Sequence, residues 1–116
     1  EIEIVPALGD YDIGDWQGQR LSDLQQSMPQ ALANWISNPD AAPHGGESIQ
    51  ALCLRVSAWL DEFREEGHFA VVTHPFVIRA AILHALAAST ASFNLIDVEP
   101  LAVVDLRFNE RWRLRV

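Results

Sequence analysis

The sequence predicts an α/β fold, and three stretches of it carry that prediction. Residues 69–73 (FAVVT) form a continuous apolar, β-branched run, the pattern of a strand covered on both faces. Apolar residues at three- and four-residue spacing over residues 49–66 predict an amphipathic helix before that run, and residues 76–88, apolar nearly all round, predict a buried helix after it. Residues 101–108 and 112–116 read as two strands joined through Asn109 and Glu110, a hairpin that closes the sheet. With 116 residues the chain has the length of one modest domain, so residues 1–116 are taken as a single unit.

In chain order, Glu1-Ile2-Glu3-Ile4-Val5 alternates as an opening strand would. Because it starts without Met and in mid-pattern, the expectation is a cut or processed end, and the lack of a basic, apolar, small-residue series argues against a retained signal peptide. Residues 6–18 hold Gly9, Gly14, Gly18 and three aspartates, which predicts a loop. Ser22 is a candidate N-cap with Gln25 as its capping-box partner, and Pro29 opens a second helical stretch through Trp35 and Ile36, the two meeting at a kink. Residues 38–47 (NPDAAPHGGE) predict an exposed loop ending at Ser48, a good N-cap for the helix that Gly67 should stop.

Composition narrows the function. With 49% hydrophobic and 21% charged residues the chain is expected to fold rather than stay disordered. The net charge of −8 argues against non-specific binding of nucleic acid or of an anionic membrane. All eight basic residues are arginines, so lysine Schiff-base and P-loop lysine chemistry are excluded within these residues. The apolar stretch 69–88 contains His74, Pro75, Arg79 and His84, which makes it a poor membrane span. Cys53 lies on the apolar helix stripe and is expected to be a buried structural thiol, in keeping with a reducing, cytoplasmic location. The four tryptophans are scattered, as for core packing, and the arginines of residues 107–115 are expected to alternate outward to solvent.

A few side chains could carry chemistry. His74 directly follows the predicted buried strand and precedes a helix opened by Pro75, the strand end at which α/β proteins bind ligands and where a helix N-terminus favours anions. Arg79, the only formal charge between Pro75 and Ile96, sits near that same helix start, where the macrodipole disfavours a cation. It therefore calls for an anionic partner, either a carboxylate such as Glu47 or a ligand phosphate. Asp10, Asp12 and Asp15 lack a third acid at the proper step and a closing bidentate Glu, so a calcium loop is rejected. A carboxyl against apolar surface has a raised pKa, so one in this Trp-containing loop would suit a proton donor. His44 and His68 read as exposed loop residues and His84 as a helix residue, and no HxH, HExxH or CxxC spacing calls for a metal.

Taken together, residues 8–18 (LGDYDIGDWQG), Gly46-Glu47-Ser48, and Val71-Val72-Thr73-His74 with Val77-Ile78-Arg79 resemble the histidine phosphatase superfamily, the phosphoglycerate-mutase-like group, in both order and separation. The resemblance covers essentially the whole chain. It implies a three-layer α/β fold whose sheet here is incomplete, because the family's upstream strand bearing an RHG motif is absent from these residues. In that family the RHG histidine attacks the phosphoryl group and is transiently phosphorylated. By position His74 matches the second histidine, which with arginines stabilises the phosphoryl charge. Asp10 matches the proton donor, where the family usually has glutamate, and Arg79, Glu47 and Ser48 match phosphate-binding or site-supporting positions. Pro75 departs from the small residue usually found there and offers no N–H to a phosphate.

The resemblance therefore implies hydrolysis of a phosphate monoester through a phosphohistidine, with the nucleophile expected upstream of this chain. The alternative is a catalytically inactive relative that binds a phosphoester or another protein. The expected partner is a phosphorylated small molecule or phosphate, with no cofactor, nucleic acid or membrane, and self-association is left open.

Overall fold

The computed structural model describes residues 2–116. Two short helices, α1 (Leu21–Ser27) and α2 (Pro29–Ser37), are followed by the longer α3 (Ile49–Glu62) and α4 (Pro75–Leu86), then by the antiparallel strands β1 (Asp105–Asn109) and β2 (Arg111–Arg115). Short 3-10 turns occupy Pro6–Leu8, Gly14–Trp16 and Thr90–Leu95.

The helices form where spacing and caps place them. Ser48 caps α3 by accepting the Ala51 N–H at 3.0 Å, and α3 turns Leu52, Cys53, Val56 and Leu60 into the core. There they meet Val77, Ala80 and Leu83 of α4, with Phe93, Leu8 and Tyr11 filling around them. Trp16, Leu24 and Leu32 make a second cluster beneath α1 and α2, and Ile13 and Trp35 pack against both. The hairpin pairs Leu106 with Leu114 and Phe108 with Trp112, and the Trp112 Nε1–H bonds the Leu60 carbonyl at 3.2 Å, which ties β2 to the end of α3. Glu110 makes the turn at φ 67°. Met28, at φ −139° and ψ 57°, breaks α1 from α2 as the expected kink.

Four local expectations fail, each for a physical reason. α1 begins at Leu21 with Arg20 before it and no side-chain cap, so Ser22 lies inside the first turn and forms no capping box. α3 ends at Glu62 rather than at Gly67, because Phe63 leaves helical geometry and its ring lies 5.0 Å from those of both Trp59 and Phe69. Residues 2–5 form no strand, while Glu1 lies outside the described residues. Residues 69–73 and 101–104 are likewise without strand structure. Val72 is 100% exposed and Phe69 and Val71 about half exposed, so the run expected to be covered on both faces is open to solvent. A strand exists only with a neighbour to bond, and these apolar runs have none among the described residues. The sheet is thus the incomplete one expected, reduced among the described residues to β1 and β2.

Candidate active site

Two loops cross to build the site. In the first, the Gly14 N–H bonds the Asp12 carboxylate at 3.0 Å and Gly14 takes φ 55°. In the second, Gly46 lies so close to the first that an added Cβ would stand 2.1 Å from the Asp12 carbonyl oxygen. The crossing is sewn by the Glu47 N–H to the Asp12 carbonyl at 3.0 Å and the Asp15 N–H to the His44 carbonyl at 2.8 Å.

His44, expected to be an exposed loop residue, is 0% exposed. Its Nδ1 accepts the Gly46 N–H at 2.9 Å, which leaves Nε2 as the protonated nitrogen of the neutral ring, donating to the Tyr11 hydroxyl at 2.9 Å. The Trp35 indole N–H donates to the same hydroxyl at 2.8 Å. Trp16, Trp35 and Tyr11 surround the imidazole edge-on. Burial lowers the His44 pKa from its ordinary value, against the opposing pull of the Asp12, Asp15 and Glu47 charges. Burial likewise raises the Tyr11 pKa. The buried ring explains why a loop rich in Pro and Gly holds one shape, and the Gly45-Gly46 pair after His44 was the available signal for so close a crossing.

From this base the first loop presents Asp10 toward His74. Asp10 Oδ1 accepts the Tyr11 N–H at 2.8 Å, and Oδ2 lies 3.6 Å from His74 Nδ1. His74 occupies the residue before α4, with Pro75 as the first helical position. The Thr73 hydroxyl donates to the Leu8 carbonyl at 2.7 Å, which pins the His74 turn to the Asp10 loop. The two side chains, sixty-four positions apart, stand side by side, but both are open to solvent, 63% for Asp10 and 49% for His74. Asp10 therefore does not have the apolar surroundings expected of it.

Arg79 is not where charge pairing placed it. Its Nε–H bonds the Ile96 carbonyl at 2.7 Å, and its guanidinium lies 5.2 Å from the Phe76 ring centre and 5.6 Å from that of Phe93. Among the described residues no carboxylate reaches it. One carbonyl and two ring faces stand beside the cation, so of its two expected partners the carboxylate is the one the structure does not supply. Glu47 is held by Arg55, Nε to Oε2 at 3.1 Å and NH2 to Oε1 at 2.8 Å. Ser48 spends its hydroxyl on the α3 cap. Arg55 itself escaped the sequence reading, although it is the one charge among residues 49–60, the same kind of signal that singled out Arg79. His84 bonds Asp61 at 2.7 Å, away from this pair. Among the described residues no three His, Cys, Asp or Glu side chains gather as a metal site requires, and no helix is long and apolar enough to cross a membrane.

Comparison with known proteins places the chain in a family. The profile of the histidine phosphatase superfamily (branch 1) matches residues 1–115. The chain is 30% identical over 100 residues to the adenosylcobalamin/alpha-ribazole phosphatase of Salmonella typhimurium, covering 83% of this chain and 50% of that one. It superposes on the alpha-ribazole phosphatase of Shigella flexneri with a TM-score of 0.82 at 25% identity, over 100% of this chain and 60% of the other. A mycobacterial glucosyl-3-phosphoglycerate phosphatase in complex with VO3 gives a TM-score of 0.83 at 25% identity, over 100% and 62%. The chain thus spans about half the length of the curated relatives it matches.

Proposed function

The chain belongs to the histidine phosphatase superfamily, and on that footing we propose that it supplies the phosphoryl-stabilising and proton-donating part of a phosphomonoesterase site. The observation that carries the reading is the approach of Asp10 Oδ2 to within 3.6 Å of His74 Nδ1, at the start of α4. A phosphate seated there meets the imidazole and the amide end of a helix, both suited to an anion.

The chemistry proposed is a two-step transfer. A histidine on polypeptide outside these 116 residues attacks phosphorus, forming an N–P bond as the ester P–O bond breaks. His74 stabilises the charge on the phosphoryl oxygens as they move toward the transition state. The Asp10 carboxyl gives its proton to the departing ester oxygen, so the alcohol leaves neutral. Water then cleaves the N–P bond and releases phosphate. The substrate class is a phosphorylated small molecule, by analogy with the alpha-ribazole and glucosyl-3-phosphoglycerate phosphatases named above. Pro75 brings no N–H to the phosphate, an observation that favours the second reading, a relative that binds phosphoesters without turnover.

The test adds an aryl phosphate to the full-length polypeptide from mildly acidic to neutral pH. Hydrolysis should fall by about a hundredfold in His74→Ala, the scale of losing one oxyanion-stabilising group. Vanadate binding without hydrolysis would replace the enzyme reading with the binding one, and hydrolysis indifferent to His74 would refute the site.

A further inference from the structure

We propose that Arg55 and Glu47 form a bolt that sets the position of the acid Asp10, so that both are positioning residues for proton transfer to the leaving group. The proposal rests on the phosphatase reading above and concerns residues that do not themselves meet the substrate.

One guanidinium ties both loops to α3. Its NH1 donates to the Ala7 carbonyl at 2.7 Å and its NH2 to the Asp10 carbonyl at 3.1 Å, so it grips the chain on both sides of the Leu8-Gly9 turn. Through Nε and NH2 it also holds both carboxylate oxygens of Glu47. Glu47 Oε1 in turn accepts the Asp12 N–H at 3.0 Å, while the Glu47 N–H donates to the Asp12 carbonyl. Asp10 is therefore fixed at its own carbonyl from α3 and two residues later from the second loop. The base of the bolt is rigid, because Leu52 and Val56, flanking Arg55 on α3, are completely buried.

The reason to assign this arrangement to chemistry is what the Asp10 side chain lacks. Its carboxylate is largely in solvent, and among the described residues it has only its neighbour's N–H and the more distant His74 to orient it. A side chain with so few restraints can deliver a proton along a defined line only if its backbone is held, and a displacement of about 1 Å is enough to cost a large factor in rate. The acid is also shorter by one methylene than the glutamate expected in its place, which leaves less reach to make up for a misplaced backbone. A planar fork spans two carbonyls and a carboxylate at once, which an ammonium cannot do.

The test uses leaving groups. An aryl oxide departs readily without a proton, whereas an alkoxide needs one, so a misplaced acid harms alkyl phosphates selectively. Turnover of an alkyl and an aryl phosphate by the full-length polypeptide would be compared for wild type, Arg55→Lys, Glu47→Gln and Asp10→Asn. Arg55→Lys and Glu47→Gln should lower kcat for the alkyl ester by about tenfold or more, with the aryl ester losing no more than about threefold and KM unchanged. Adding Glu47→Gln to Asp10→Asn should cost the alkyl ester nothing further, since the bolt acts through that acid. Equal losses on both esters, additive losses in the double variant, or failure of both conservative variants to fold would overturn the proposal and leave the phosphatase reading standing. Absence of turnover of either ester by the wild type would sink both.

Discussion

Replacing Gly46 by alanine should be far more damaging than replacing any glycine whose only demand is a left-handed backbone. The Cβ of Gly46→Ala would lie 2.1 Å from the Asp12 carbonyl oxygen, 2.8 Å from its carbon and 2.9 Å from the Gly14 nitrogen. All three are backbone atoms, so no side chain can rotate away, and the two loops must part by on the order of 1 Å to restore ordinary contact. Three hydrogen bonds cross that gap: Glu47 N–H to Asp12, Asp12 N–H to the Glu47 carboxylate, and Asp15 N–H to His44. At about 1 kcal/mol net for each, their loss destabilises the chain by about 3 kcal/mol. For a domain of this size that lowers Tm by roughly 12 °C. Gly18 is the control, with φ 80° and nothing within 4 Å of its would-be Cβ. Gly18→Ala should cost only the left-handed conformation, about 1 kcal/mol or roughly 4 °C. Thermal unfolding followed by circular dichroism measures both. If Gly46→Ala melts as high as Gly18→Ala, the loop crossing does not contribute as argued.

Two further outcomes follow from buried titratable groups. The folded-state pKa of His44 lies below its unfolded value of about 6.5, so the unfolded chain binds a proton first on acidification. Its contribution to stability is therefore complete above about pH 6.5 and declines as pH falls below that value; His44→Gln should be less stable yet lose this acid-side decline, and denaturant titrations giving the same slope against pH for both would contradict it. Burial pushes the Cys53 thiol up to about 11, with the Glu47 charge adding to it. It should resist a disulfide reagent at mildly alkaline pH until denaturant unfolds the chain, and rapid stoichiometric labelling of the folded protein would show that α3 is open.

Elements with local determinants were legible in the sequence. α3 follows from its apolar spacing and the Ser48 cap, α4 from Pro75 and the run behind it, and the hairpin from the turn at Asn109 and Glu110. His74 is marked by its place between an apolar run and Pro75, but its pairing with Asp10 comes from resemblance alone, because nothing in the spacing of residues sixty-four apart tells that a loop and a helix start will meet. Residues 69–73 show the opposite limit. Their pattern states a preference for a sheet interior, but pairing depends on strands elsewhere, and with no partner among the described residues the run is left open to solvent at Val72 and half open at Phe69 and Val71. The composition around His44 reports turns and so predicts exposure, but it does not report whether a second loop lies across them, as one does here. Arg79 calls for compensation on sequence grounds, and among the described residues a carbonyl and two aromatic faces stand beside it where a carboxylate or a ligand phosphate is expected.

Within these 116 residues the uncovered run FAVVT also bears on self-association. Five uncharged residues, four of them aromatic or β-branched, with Val72 wholly in solvent, share the composition of segments that stack with their own copies. The net charge of −8 keeps such copies apart at low ionic strength. At about 0.1 M salt that repulsion fades beyond roughly 10 Å, so added electrolyte removes a guard against clumping while leaving the stickiness in place.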